Sequence, residues 1–167
     1  MNRSALTADQ VIEELALVAH PEGGWFRESF RSALNVGDAV HASEHAASTA
    51  IYFLLRQGEF SAFHWLNSDE LWHHYFGDVL ELYVIDASGG LQGVRVGTGL
   101  VHGERPQAVV PREHWQAARV AAGSAGFALC GCTVAPGFEF SDFVMPARAE
   151  LVERFPQHTA LITSLTR

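Results

Sequence analysis

Between Trp25 and Val134 the chain is cut into short segments rich in β-branched and aromatic residues, and this spacing constrains the fold more than any other feature. The clearest segments are 25–30, 48–55, 60–66, 70–76, 79–85, 91–96, 108–110, 115–120 and 127–134. Turn chemistry separates them, as in Arg56-Gln57-Gly58, Phe76-Gly77-Asp78, Ala87-Ser88-Gly89-Gly90 and Gly123-Ser124-Ala125-Gly126. Strands that return about every 8–12 residues build a sandwich or barrel, because a βαβ unit needs a helix-length crossover between its strands. The expectation is an all-β fold. No internal repeat, low-complexity stretch or linker divides the 167 residues, so one domain over 1–167 is expected.

Helical patterning flanks the strands. Thr7-Ala8-Asp9-Gln10 has the form of a capping box, after which Val11, Ile12, Leu15 and Val18 recur on one helical face. His20-Pro21 ends that helix, since a residue before proline is pushed out of the α region, and Glu22-Gly23-Gly24 follows as a turn. From Ala147 the pattern is helical again, interrupted by Pro156. The layout expected is an N-terminal helix within 1–20, a barrel core over 25–134 and a C-terminal helical segment over 147–167.

Composition removes several classes of function. The chain has no lysine, all 11 of its Lys+Arg residues being arginine. A Schiff-base enzyme, a pyridoxal-phosphate enzyme and a P-loop nucleotide binder each need a lysine amine. The formal net charge of -8, without any clustered arginine run, argues against a nucleic-acid partner. No apolar run approaches ~20 residues and no basic leader opens the chain, so a cytoplasmic protein without a membrane partner is expected. Cys130 and Cys132 stand two apart, where strand geometry puts their Cα atoms about 6.6 Å apart with parallel Cβ vectors. They read as buried apolar fillers, not as a disulfide or a zinc site.

Chemistry-bearing residues gather in four places. Between His64 and His74 lie three histidines and two acids in eleven residues. On regular strands His64 shares a face with Ala62 and Leu66, while Glu70 shares one with Trp72 and His74. Asn67-Ser68-Asp69 supplies the turn that brings His64 and Glu70 to one surface. The second place is 109–118, where Pro111 opens a turn and His114, Gln116 and Ala118 share a face. In the third, 134–143, Glu139 and Asp142 are set between aromatics, either as solvated loop acids or as site residues. In the fourth, 20–28, Glu22, Arg27 and Glu28 either orient a polar ligand or pair with one another.

At these residues a family resemblance becomes specific. His64, Glu70 and Gly77 resemble the first cupin motif, and Pro111 through Gln116 resembles the second. With HPEGGWFRE (20–28), SDELWHH (68–74), VPREHWQAA (110–118) and VAPGFEFSDF (134–143), the chain resembles single-domain cupins related to the sugar-nucleotide epimerase (RmlC-like) cupins. The resemblance implies a double-stranded β-helix (jelly-roll) barrel with a small-molecule pocket, and a homodimer formed through barrel strands, with 48–55 or 25–30 contributing. It also implies a metal set of three histidines and one glutamate, from which this chain departs. Leu66 stands at the second histidine position, Gln116 at the third, and Glu113 replaces a usual glycine. His64 and Glu70 then hold a metal only if His74, and Gln116 through its carbonyl oxygen, complete the set, for iron, manganese, nickel or zinc.

Three functions compete. The leading one is a metal-independent isomerase- or epimerase-like enzyme acting on a sugar-like or small carbonyl compound. There His64 is the general base, Glu70 orients or polarises it, Gln116 hydrogen-bonds the substrate, and Trp72 and Tyr83 wall the pocket. The second is a metal-dependent oxygenase or isomerase with His64, Glu70, His74 and Gln116 as ligands. The third is a non-catalytic binding or storage module, because a fold does not fix a function.

Overall fold

The computed structural model describes residues 6–37 and 44–167; residues 1–5 of the expected N-terminal segment lie outside the described residues. Helix α1 (Ala8–Glu14) opens on the Thr7 capping box, with Gln10 N–H donating to Thr7 Oγ1 and Thr7 N–H to Gln10 Oε1. It is shorter than the apolar spacing predicts. Ala16 takes a positive φ of 50°, the chain turns out of the helix, and Val18–Ala19 forms β1 instead.

The strands that follow are β2 (Trp25–Arg31), β3 (Asn35–Val36), β4 (His45–Ala46), β5 (Thr49–Arg56), β6 (Phe60–Leu66), β7 (Asp69–Gly77) and β8 (Leu80–Ile85). Then come β9 (Leu91–Val96), β10 (Gln107–Val110), β11 (Trp115–Val120), β12 (Phe127–Ala135) and β13 (Phe143–Val144). One sheet runs β1-β2-β5-β12-β7-β10 and the other β13-β6-β11-β8-β9, with antiparallel pairing throughout both. Two such sheets closed over one interior make an all-β cupin jelly roll. Strand β5 is flanked on both sides, so the expectation that 48–55 offers an edge for dimer pairing fails. Among the described residues, strand β2 pairs with β1 only at Trp25 and Phe26, and no described strand pairs with the rest of that edge.

Period-2 alternation sorts the side chains. Phe53, Leu55, Trp72, Leu80, Leu82 and Val84 point into the barrel and form its core. Their neighbours point outward: Leu54 packs with Val11 and Leu17 beneath α1. Ile85 and Phe63 pack against Leu151, Phe155 and Ile162 of the C-terminal helices α2 (Arg148–Arg154) and α3 (Thr159–Ser164). Cys130 and Cys132 are buried free thiols.

Three β-bulges interrupt the alternation. In β2 the register against β5 shifts between Glu28 and Phe30. In β6 it shifts against β11, where Gln116 opposes His64 but Ala118 opposes Ser61. In β7 it shifts against β12, where Leu129 opposes Phe76 but Cys130 opposes His74. An extra residue reverses the facing of everything beyond it. The first bulge turns Arg31 to the face of Phe26 and Glu28; the second puts Ser61 and His64 on one side.

No helix among the described residues is long and apolar enough to cross a membrane. Leu82, 0% exposed, should lose about 2–5 kcal/mol of unfolding free energy on truncation to Ala, whereas exposed Arg27→Ala should stay within about 0.5 kcal/mol. Urea denaturation midpoints of the two variants check this.

Candidate active site

A cavity of about 90 Å³ opens at one end of the barrel. Its walls are largely apolar, with Phe26, Phe138, Phe140 and Phe143 forming an aromatic collar over Ile51, Leu66 and Val134. His64, Glu70, His20 and Cys132 line it from within, and Glu28, Arg31 and Glu139 line it as well.

His64 is 2% exposed. Its Nδ1 lies 2.8 Å from the Ala62 carbonyl oxygen, which can only accept, so Nδ1 carries the proton and Nε2 is left with its lone pair. Burial lowers the His64 pKa, opposed by the charge of Glu70 and by the Ala62 hydrogen bond. That Nε2 lies 3.4 Å from Glu22 Oε2. Glu22 is held from three sides: Ser61 Oγ donates to Oε1 at 2.8 Å, His20 Nδ1 lies 3.5 Å from Oε2, and the Glu22 N–H donates to His20 Nδ1. Burial raises the Glu22 carboxyl to about 8 against the opposing pull of Ser61 and Arg167. Burial also lowers His20 to about 4, with His64 adding to the effect.

The loop that carries Glu22 has little freedom. Gly23 and Gly24 both take positive φ, and a Cβ on Gly23 would meet the Phe60 carbonyl oxygen at 2.1 Å. The Glu22 carbonyl accepts Ala62 N–H at 2.8 Å, which stitches the loop to β6.

Glu70, on β7, is raised to about 7 by burial; His64 opposes the shift and Glu22 adds to it. Gln116 Nε2 donates to Glu70 Oε2 at 2.5 Å, and Gln116 Oε1 accepts Trp72 Nε1–H at 2.9 Å. At the cavity mouth Arg31 donates through Nε and Nη2 to Glu28, through Nη1 to Glu139 at 2.6 Å, and through Nη2 to the Phe138 carbonyl. These bonds raise the Arg31 pKa, those from Glu28 foremost, and secure its charge.

The structure brings His64, Glu70 and Glu139 of the sequence candidates to the cavity lining, with Glu22 behind it beside His64. Glu70 acts on the imidazole through its charge, while Glu22 and the Ala62 carbonyl are its neighbours within contact distance. The other candidates are placed elsewhere. Trp72 is no pocket wall but sits in the core edge-on to Phe53, where it fixes Gln116. Gln116 does not line the cavity; its amide bridges Trp72 and Glu70 behind it. Tyr83 faces outward at an odd position of β8 and bonds Glu81 and Arg119. His114 caps its own turn on the Arg112 carbonyl. Arg27 lies on the outer face over Tyr52, because alternation sends it opposite to Phe26 and Glu28. Asp142 pairs with His45 Nε2 at 2.5 Å, which holds the 138–143 segment in place without lining the cavity.

His74 stands four residues beyond Glu70, about 13 Å along the strand, and its Nε2 bonds the Asp78 carbonyl. It cannot share a ligand sphere with Glu70. With Leu66 lacking a donor, and the Gln116 oxygen occupied by Trp72, the proposed metal set does not assemble. No group of three His, Cys, Asp or Glu side chains among the described residues is arranged to hold a metal ion. His20, Arg31 and the phenylalanine collar were not legible as site residues. Arg31 depends on the bulge, for which the sequence carries no signal, and His20 reads locally as a helix stop.

A family model described as the cupin superfamily (DUF985) matches residues 9–146. The chain belongs to the cupin superfamily. Among solved structures this cupin is similar to a hypothetical protein from Leishmania major, at 37% identity and TM-score 0.92, covering 96% of this chain and 99% of that one. It is also similar to a protein from Shewanella oneidensis, at 40% identity and TM-score 0.86, covering 97% and 98%. Oxalate decarboxylase from Bacillus subtilis is more distant, at 13% identity and TM-score 0.55 over 88% of this chain and 36% of that one. At that identity the likeness shows the fold alone. No curated protein matches the chain.

The folded chain holds the Glu22 proton up to about pH 8, against an ordinary carboxyl value of 4.5 when solvated. Between these values the folded state binds more protons than the unfolded state, so stability falls as pH rises through that window. His20 works the other way and costs stability only below 6.5. Glu22→Gln, neutral at every pH, should therefore gain in Tm relative to the wild type as pH is raised from about 5 to about 8. Thermal melts of both proteins across that range check it; a constant difference would contradict the buried, protonated carboxyl.

Proposed function

We propose that this cupin is a metal-independent, isomerase- or epimerase-like enzyme that moves a proton on a sugar-like or small carbonyl compound. One observation carries the reading: an imidazole lone pair at His64 Nε2 lies 3.4 Å from a carboxyl raised to about 8, at the side of an aromatic-walled cavity. A neutral base beside a neutral acid suits proton transfer at neutral pH without burying a lone charge. In the reaction His64 Nε2 takes the proton from the carbon next to a carbonyl, while the Glu70 carboxyl, which lines the cavity, gives its proton to the carbonyl oxygen. The resulting enediol collapses as His64 returns its proton to carbon and Glu70 regains one from oxygen. Atoms and electrons balance with no further reactant. Glu22, beside His64 and behind the cavity lining, supplies a second proton reservoir.

The test is solvent deuterium entering the carbon-bound positions of hydroxyacetone, followed by NMR. Wild type should catalyse the exchange, with the rate falling as pH passes about 7 and Glu70 ionises. His64→Ala should slow it by about 10²–10⁴-fold, and Arg27→Ala, on the outer face, should leave it unchanged. Exchange at the wild-type rate in a folded His64→Ala protein would remove the base assignment.

We also propose that the chain forms a homodimer through the open edge of β2, beside which Phe30 is 53% exposed. An unpaired strand edge with an exposed aromatic residue has a physical motive to pair with its own copy about a two-fold axis. Sedimentation equilibrium should give a dimer for wild type and a monomer for Phe30→Glu; a wild-type monomer would reject the arrangement.

A further inference from the structure

The cavity mouth is built from three charged side chains. Glu28 takes the Nε and Nη2 bonds of Arg31, and Glu139 takes an Nη1 bond at 2.6 Å. Nη2 also serves the Phe138 carbonyl. A guanidinium has five N–H donors, so one Nη1–H is left without a partner among the described residues. Two carboxylates around one guanidinium leave the mouth with a net negative charge. A ligand carboxylate or phosphate would have to approach that net negative charge to reach the one free donor.

Among the described residues, no cation other than Arg31 lines the cavity. His20 and His64 both sit below their ordinary range because of burial, and Glu22 and Glu70 are held towards their neutral forms. The collar of Phe26, Phe138, Phe140 and Phe143 adds low-dielectric walls that strengthen any charge repulsion. Size sets a second limit. A cavity of about 90 Å³ is smaller than the ~150 Å³ apolar cavity that accepts one benzene ring.

We propose that the cavity selects a small uncharged carbonyl or hydroxycarbonyl compound, and that the Glu28–Arg31–Glu139 cluster rejects anions while its spare N–H binds a neutral oxygen. This rests on the proton-transfer reading of the same site and narrows its substrate class. Phosphorylated sugars, sugar nucleotides and small carboxylates fall outside the class.

Hydroxyacetone and pyruvate form a matched pair of probes, nearly equal in size and differing by one negative charge. Binding is read from ligand titrations followed by the ring resonances of His20 and His64. Wild type should prefer hydroxyacetone by about tenfold or more. Glu139→Gln removes one negative charge at the exposed mouth and loosens one Arg31 donor, so it should shift the preference towards pyruvate by about tenfold. Glu28→Gln, which keeps the other acid, is the second variant and should shift it in the same direction. A wild type that prefers pyruvate, or takes up neither probe, overturns the proposal; so does a preference that neither variant alters. Hydroxyacetone that binds selectively without exchanging hydrogen would leave the charge rule standing and remove the proton-transfer reading instead.

Discussion

The site depends on one carboxyl kept out of water. Glu22 is 5% exposed and wedged between Ser61, His20 and His64, on a loop whose glycines let it lie flat against β6. An isolated carboxylate in such a place would cost several kcal/mol, so the group gives up its charge instead. That choice propagates. A neutral Glu22 allows a neutral His64 alongside it, and the Ala62 carbonyl fixes which ring nitrogen carries the proton. The buried cluster is therefore a set of acids and bases near their balance points, without a strong ion pair locking any of them.

The same logic explains the departure from the metal-binding pattern that the family resemblance implies. A metal site gathers anionic or lone-pair donors around a cation. Here the donors are spent on each other: Gln116 bridges Trp72 and Glu70, and His64 faces Glu22. Leu66 lines the cavity as a piece of wall. Burial holds Glu22 and Glu70 towards their protonated, neutral forms.

Much of the fold was legible in the sequence because period-2 alternation and turn residues are strong local signals. Segments such as 60–66 and 115–120 coincide with strands β6 and β11, and the Thr7 capping box starts α1 as read. The pairing of His64 and Glu70 in one cavity followed from the same periodicity. The misplacements also have physical causes. Tyr83 was read as a pocket wall, and Arg27 as either a ligand-orienting residue or a partner of its neighbours, although strand alternation turns both outward; deciding this requires knowing which face closes on the barrel. His74 was given a role by face alone, without the distance along the strand. Glu22 appeared only as one of several acids near a glycine pair, since its burial is imposed by β6 across the fold.

The bulge in β2 carries a wider consequence. Glu28 and Arg31 face the cavity together only because one extra residue lies between them in the register. A cupin of this kind that lost that single residue would keep every neighbouring side-chain identity yet rotate its arginine to the outside. The ligand preference of such a relative would change through strand length alone, and residue-by-residue comparison of the cavity lining would miss the reason.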